Sequence, residues 1–271
     1  MHRAERRKVR GFCRGIHLIF IIGPPRSGTT LTYQLLTEFF DVGYITNAHA
    51  KWYGGISYYQ RIYGVGQGHV PSDYFSVHGR TNGSVGPSEC GEYWYQFFPR
   101  TRHYVRLQDM NESSIRWIRN SMSRICDAFR KPVVFKNVVN SGRLNVLRKI
   151  FPDAVFVEVC RDFPANAASI LRTRHELKCP ESEWWSIRPR GYEAYNSAPE
   201  DEKVFQQIKL TREMIADDLK EVEPEKWIRV EYEELCRNPQ KVISELETQI
   251  KRTIPSLSAR EGAVIRKTFE R

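Results

Sequence analysis

The stretch from residue 16 to residue 30 reads I-H-L-I-F-I-I-G-P-P-R-S-G-T-T. Its first part, Ile16–Ile22, is rich in β-branched and aromatic side chains, which is typical of a strand buried on both faces of a parallel sheet. From Thr29 to Phe40, leucine and phenylalanine recur at helical spacing, so a helix should follow at once. A turn between such a strand and helix points its backbone N–H groups at one spot, which indicates a binding site for an anion.

Strand and helix patterns alternate along the rest of the chain. We predict further strands over Pro132–Asn137, Ala154–Val159 and Trp227–Val230. We predict helices from Ser113 or Ser114 to Phe129, over Ser141–Ile150, from Pro164 to Leu177, from Lys203 to Val222, and from Asn238-Pro239 onward. Residues 49–99 should form short helices and loops over the sheet. This order predicts an α/β protein with three α/β/α layers and a central parallel β-sheet.

Composition bounds the organisation and the partners of the chain. Its 271 residues and 41% hydrophobic content suit one domain over 1–271. Forty-two Lys and Arg against 32 Asp and Glu give a net charge of +10, which favours an anionic partner such as a nucleotide, an acidic polymer or a membrane surface. The run Ile16–Ile22 is far shorter than the roughly 20 residues that span a bilayer, so we expect no transmembrane segment.

The six cysteines are scattered, with no C-x-x-C pair and no nearby histidine at metal-ligand spacing. We therefore expect reduced thiols, a cytoplasmic location and no bound metal.

The residues 23–30 differ from the Walker phosphate loop at one decisive position. The two glycines and the final hydroxyl of G-x-x-x-x-G-K-[ST] are present, but Thr29 stands where the lysine belongs. The cation has moved to Arg26, inside the loop. No predicted strand ends in an evident Walker B aspartate, which argues against a magnesium-dependent nucleotidase. The loop predicts a P-loop-like fold whose ligand has no γ-phosphate.

The string Pro25-Arg26-Ser27-Gly28-Thr29-Thr30 resembles the 5′-phosphosulfate loop of sulfotransferases that use 3′-phosphoadenosine 5′-phosphosulfate (PAPS). The resemblance implies PAPS as the donor, with Arg26, Ser27, Gly28, Thr29 and Thr30 on its phosphosulfate end. In this family an arginine at a strand end and a serine eight residues later hold the 3′-phosphate. Arg161 and Ser169 match that pair and would supply a bidentate cation and a hydroxyl.

The same resemblance suggests the residues of the reacting centre. The strand Pro132–Asn137 resembles the one that carries a lysine to the sulfuryl group, so Lys136 would neutralise charge on the bridging oxygen. The segment Pro87–Trp94 resembles a glutamate-containing stretch of bacterial members, which makes Glu89 the first candidate for the base. Glu92 and His49 remain alternatives. Val138 replaces the histidine that serves as base in the cytosolic small-molecule branch.

The sequence therefore predicts a sulfotransferase that moves a sulfuryl group from PAPS to a hydroxyl or amine of a glycan, lipid or small molecule. Its motifs run from residue 16 to 240, and residues 49–130 are the expected acceptor-binding insertion. The expected partners are the nucleotide donor and the acceptor, with no nucleic acid; the acceptor and the oligomeric state stay open. Aromatic residues that could stack on an acceptor, or instead fill the core, are Trp52, Tyr53, Tyr58, Tyr59, Tyr93, Trp94 and Tyr95.

Two alternatives fit the same pattern. One is a nucleotide or small-molecule kinase on a similar sheet, which the threonine at position 29 disfavours. The other is a non-catalytic binder of acidic polysaccharide that has kept the fold.

Overall fold

The computed structural model describes residues 17–64 and 70–269, so the predictions for Ile16 and Cys13 lie outside the described residues. The strands are β1 (Leu18–Ile22), β2 (Gly43–Tyr44), β3 (Ser76–Val77), β4 (Arg80–Thr81), β5 (Val133–Lys136), β6 (Val155–Cys160) and β7 (Trp227–Glu231). The helices are α1 (Thr29–Phe39), α2 (Asn47–Lys51), α3 (Ile56–Tyr63), α4 (Gly91–Tyr95), α5 (Glu112–Phe129), α6 (Leu144–Ile150), α7 (Phe163–Glu176), α8 (Glu200–Leu219), α9 (Tyr232–Arg237) and α10 (Pro239–Thr253).

A parallel sheet in the order β2-β5-β1-β6-β7 forms the centre of the molecule. Strand β1 lies in its middle, and Phe20 is opposite Phe135 on one side and Phe156 on the other. Every residue of β1 is buried. The predicted α/β class with a central parallel sheet is confirmed.

Alternate residues of the central strands face two separate apolar layers. The rings of Phe20, Phe135 and Phe156 stack on one face, with centroids 5.8 and 5.6 Å from Phe20, beneath α5, α6 and α8. Ile19 and Ile21 face the other layer, which α1 and α10 cover. Burial on both faces explains why β1 has no polar side chain between its ends.

The structure differs from the sequence prediction at several helix starts: α8, predicted from Lys203 to Val222, covers Glu200–Leu219, and two other starts differ as follows. The cap of α5 is Asn111, whose Oδ1 accepts a hydrogen bond of 2.8 Å from the backbone N–H of Ser114, so the prediction of Ser113 or Ser114 as the cap was wrong. The predicted helix over 141–150 begins only at Leu144. A 3₁₀ turn covers Val138–Gly142; the side chain of Asn137 caps it, and the hydroxyl of Ser141 within it is bonded to the backbone of Gly23.

Two small features were not predicted. Strand β2 has only two residues and extends the sheet edge beside β5, and β3 and β4 form an antiparallel hairpin inside the predicted loop region. Five cysteines are free thiols: Cys90, Cys126, Cys160, Cys179 and Cys236. Within 17–64 and 70–269, no helix has both the length and the apolar character needed to cross a membrane.

The Asn111 cap gives a direct test of the corrected helix start. Asn111→Ala should lower the free energy of unfolding by about 1 kcal/mol, because the N–H of Ser114 loses its acceptor. Urea denaturation followed by circular dichroism measures this change. Ser114→Ala is the matched control, and it should change stability by less than about 0.5 kcal/mol. A larger loss in Ser114→Ala than in Asn111→Ala would contradict the assignment.

Candidate active site

The carboxyl ends of the parallel strands meet at one edge of the sheet, where open α/β sheets bind their ligands. The loop after β1, Lys136 at the end of β5, Arg161 after β6 and Tyr232 after β7 all reach this edge. Together with the β3–β4 hairpin and residues 87–92 they line a cavity of about 500 Å³. The edge therefore gathers residues that lie far apart in the sequence.

The loop between β1 and α1 contains two residues with left-handed backbone conformation. Arg26 has φ 63° and Gly28 has φ 100°, both in the left-handed region. A methyl group on Gly28 would lie 2.1 Å from Cδ2 of Tyr232, so only glycine fits beneath that ring. Gly28 is also the N-cap of α1, and the N-terminus of that helix opens into the cavity through Thr29 and Thr30.

Two buried side chains hold the loop from behind, and sequence reasoning missed both. Ser141 Oγ accepts a 3.0 Å hydrogen bond from the N–H of Gly23 and donates one of 3.1 Å to its carbonyl. Asn166 Nδ2 donates a 2.8 Å hydrogen bond to the carbonyl of Pro25. Both side chains are fully buried. The buried residues of α7 include Thr173 and Arg174 besides Asn166, so a polar residue on this helix gave no distinct signal.

The two predicted nucleotide-binding clusters are in contact. Arg26 Nε donates a hydrogen bond of 3.1 Å to Ser169 Oγ, and Arg161 donates one of 3.1 Å to the carbonyl of Arg26. The guanidinium of Arg161 also lies over the ring of Tyr232, 4.6 Å from its centroid. Burial and the neighbouring charge of Arg161 lower the pKa of Arg26. Ser27 is fully buried and does not line the cavity, and its backbone N–H donates a hydrogen bond of 3.3 Å to the carbonyl of Pro24.

Lys136 supplies the amine that the loop lacks at position 29. Its side chain is 2% exposed, and Nζ donates a 2.9 Å hydrogen bond to Thr30 Oγ1. Nζ also forms an ion pair with Glu89 Oε1. The other carboxylate oxygen of Glu89 accepts a 3.4 Å hydrogen bond from the N–H of Val138. The structure thus brings Lys136, Glu89 and Thr30 together at the floor of the cavity.

The two alternative bases lie in different surroundings. Glu92 is at the rim, half exposed, and its ion pair with Arg100 lowers the pKa of its carboxyl group. His49 is buried behind the cavity wall, where its ring contacts Thr46 Oγ1 at 2.7 Å and Gln60 Oε1 at 3.0 Å. Burial lowers the pKa of His49. Thr46 is the N-cap of α2, and His49, the third residue of the helix, completes the capping box and does not line the cavity.

The aromatic residues considered for acceptor binding do not line the cavity either. Tyr93 and Trp94 are core residues, whereas Trp52 and Tyr58 are exposed on the outer side of α2 and α3.

The family model described as the sulfotransferase family matches residues 19–255. The chain belongs to the sulfotransferase family. Its fold is similar to that of sulfotransferase STF1 from Mycobacterium tuberculosis H37Rv, with a TM-score of 0.54 and 14% identity over 96% of this chain and 76% of that one. It is also similar to a sulfotransferase domain from the curacin biosynthetic pathway, with a TM-score of 0.51 and 16% identity over 88% and 75%. No curated protein matches it by sequence.

Membership makes this chain an enzyme that transfers a sulfonate group. The sulfotransferase therefore has two substrates, a sulfonate donor and an acceptor.

The buried contact behind the loop predicts a stability effect. Asn166→Ala should lower the free energy of unfolding of the sulfotransferase by about 1–3 kcal/mol, because the carbonyl of Pro25 loses its donor. Thermal or urea unfolding measures it. Asn82→Ala is the control, because the exposed side-chain amide of Asn82 donates a hydrogen bond to the exposed carboxylate of Asp73. This substitution should lower the free energy of unfolding by less than about 0.5 kcal/mol. Equal effects of the two substitutions would contradict the anchoring role.

Proposed function

We propose that this sulfotransferase takes its sulfuryl group from PAPS and transfers it to a hydroxyl or amine of the acceptor. The observation that carries the proposal is the position of two arginines on one wall of the cavity, where Arg161 donates a hydrogen bond of 3.1 Å to the backbone carbonyl of Arg26 and its charge acts on the Arg26 guanidinium. Like charges this close repel each other, and no ion pair joins either group to a carboxylate within residues 17–64 and 70–269. Such an arrangement favours a multiply charged anion.

The polar atoms of the wall fit a nucleotide with two anionic ends. Nε of Arg161 is buried without a hydrogen-bond partner among the described residues, and burying an unpaired donor is costly. In this proposal Arg161 and Ser169 bind the 3′-phosphate, and Arg26 binds between the two ends. The backbone N–H groups from Gly28 to Thr30, with the hydroxyls of Thr29 and Thr30, hold the 5′-phosphosulfate, and Ser27 supports the loop from within. The nucleotide then transfers the sulfuryl group of its 5′-phosphosulfate end to the acceptor.

Lys136 and Glu89 have complementary roles in the proposal. Glu89 takes the proton of the acceptor as the acceptor oxygen or nitrogen bonds to sulfur. Lys136 offsets the negative charge that develops on the bridging oxygen as the S–O bond breaks. Thr30 links the lysine to the loop, and Lys136 links Thr30 to Glu89, so the residues that bind the donor and the residue that deprotonates the acceptor form one connected unit.

Nucleotide binding and turnover test the proposal directly. Adenosine 3′,5′-bisphosphate should raise the melting temperature of the protein, and ATP should not. Incubation with ³⁵S-labelled PAPS and acceptor panels should give labelled product. Stabilisation by ATP alone would favour the kinase alternative. Stabilisation by the bisphosphate without any transfer would favour a binder.

Arg161→Ala should weaken binding of adenosine 3′,5′-bisphosphate by about 10- to 150-fold, the equivalent of losing a charge-assisted hydrogen bond of about 1.5–3 kcal/mol. Isothermal titration calorimetry measures this. Arg252→Ala, an exposed arginine in the last turn of α10, is the control and should bind as the parent does. Unchanged binding by Arg161→Ala would show that the phosphate lies elsewhere.

Glu89→Gln should lower kcat by about 10²- to 10⁴-fold, the usual contribution of a general base, while the affinity for the bisphosphate stays near that of the parent. Glu92→Gln is the matched control at the rim, and its kcat should stay close to the parental value. Steady-state kinetics with labelled PAPS separate the two. A loss confined to Glu92→Gln would transfer the role to that residue.

We further propose that the chain is a single domain over 1–271, that residues 49–130 carry the acceptor-binding part, and that the enzyme works in the cytoplasm. The five free cysteines support a reducing compartment.

A further inference from the structure

The β3–β4 hairpin places its turn directly over Lys136, Glu89 and Thr30. A methyl group on Gly79 would lie 3.5 Å from Glu89 Oε1, 3.5 Å from Thr30 Oγ1 and 3.8 Å from Lys136 Nζ. These are contact distances. Any side chain at residue 79 would therefore occupy the space that faces the candidate base, the lysine and the loop hydroxyl at once.

This space is where the reacting oxygen of an acceptor has to be. A base must lie within hydrogen-bond reach of the proton that it removes, and the same oxygen must approach the group held beside Lys136 and Thr30. The region beneath Gly79 lies within contact distance of all three groups. The backbone of Gly79 bounds this region on one side, and because glycine has no side chain the region stays open.

The turn is built to keep a glycine at this place. Ser76 pairs with Thr81 and Val77 with Arg80, which leaves a two-residue turn at His78 and Gly79. Both have positive φ, 50° and 85°, as two-residue hairpin turns of the primed type require. The ring of His78 lies 3.7 Å from Glu176 of α7, so the turn reaches from the floor of the cavity to the helix that carries Ser169.

The lining near the hairpin is polar. Its side chains there include Asn47, Ser76, Arg80, Thr81 and Ser88. The Tyr and Trp rings among the described lining residues lie toward the arginines and α7: Tyr232 contacts Arg161, and Trp185 packs with the apolar residues of α7. The hairpin side therefore offers hydrogen bonds to a hydroxyl-rich molecule, and its one ring among the described lining residues is the imidazole of His78, which lies beside Glu176.

We propose that the space between the His78-Gly79 turn and Glu89 is the acceptor subsite, and that it takes a hydroxyl-rich acceptor of the saccharide class. The proposal rests on the sulfotransferase function proposed above. Gly79 leaves room for the reacting hydroxyl, Glu89 accepts its proton, and the polar side chains of the hairpin bind the neighbouring hydroxyls.

Gly79→Ala tests the position of the subsite. The added methyl should displace the acceptor oxygen, so that transfer from ³⁵S-labelled PAPS to water and to a mixture of neutral and glucosamine-containing oligosaccharides falls by about tenfold or more. The affinity for adenosine 3′,5′-bisphosphate should be unchanged. Gly83→Ala is the matched control, because Gly83 also has positive φ, 72°, but no atom lies within 4 Å of a methyl group there. It carries the same kind of backbone strain and should retain transfer.

Three results would overturn the proposal. If Gly79→Ala transfers sulfate as fast as Gly83→Ala does, the acceptor subsite does not lie beneath Gly79. Sulfation of 2-naphthol by the parent enzyme as fast as, or faster than, the oligosaccharides would contradict the acceptor class, and so would the lack of any sulfated oligosaccharide. A parent protein that does not bind the bisphosphate would instead refute the donor proposal, so the two failures are distinguishable.

Discussion

The burial of β1 on both faces, between β5 and β6, is the constraint on which the site depends. Parallel pairing places Ile21 opposite Lys136, which sets that lysine beside the start of the loop that follows β1. The same regularity places Cys160 opposite Glu231, so that the next residues of these two strands, Arg161 and Tyr232, come into contact. Strand register thus determines which side chains meet at this edge, and it is fixed by the backbone pairing of strands that are buried on both faces.

The positive charges of Arg26 and Arg161 repel each other at this edge. Arg26, Arg161 and Lys136 are drawn together by the backbone, and burial beside another cation lowers the pKa of Arg26 because the charged form is disfavoured there. One ion pair with Glu89 offsets the charge of Lys136. A ligand that brings negative charge to the arginines would relieve their repulsion. This relief would add to the free energy of binding.

Sequence reasoning reached those features whose cause is local. The strand–turn–helix at 16–40 was predictable because the hydrophobic periodicity of the strand and helix, and the residue types of the turn, depend only on neighbouring residues. The β3–β4 hairpin was missed, since its strands have two residues each and show no periodicity. Ser141 and Asn166 were missed because their partners, Gly23 and Pro25, are more than 100 residues away. The contact of Arg26 with Ser169 likewise depends on strand order, which no local pattern encodes.

What sets Glu89 apart from the other candidate bases is the backbone around it. Asn137 donates a 3.3 Å hydrogen bond to its carbonyl, and Cys90, the next residue, has φ 43°, a strained turn that ends the segment and starts α4. Behind α4 lies the fully buried Arg143, 4.5 Å from the ring centroid of Phe98. The carboxylate itself is held by the ion pair with Lys136 and by the N–H of Val138. Glu92, on the exposed face of the same helix, has only a solvent-screened arginine to hold it.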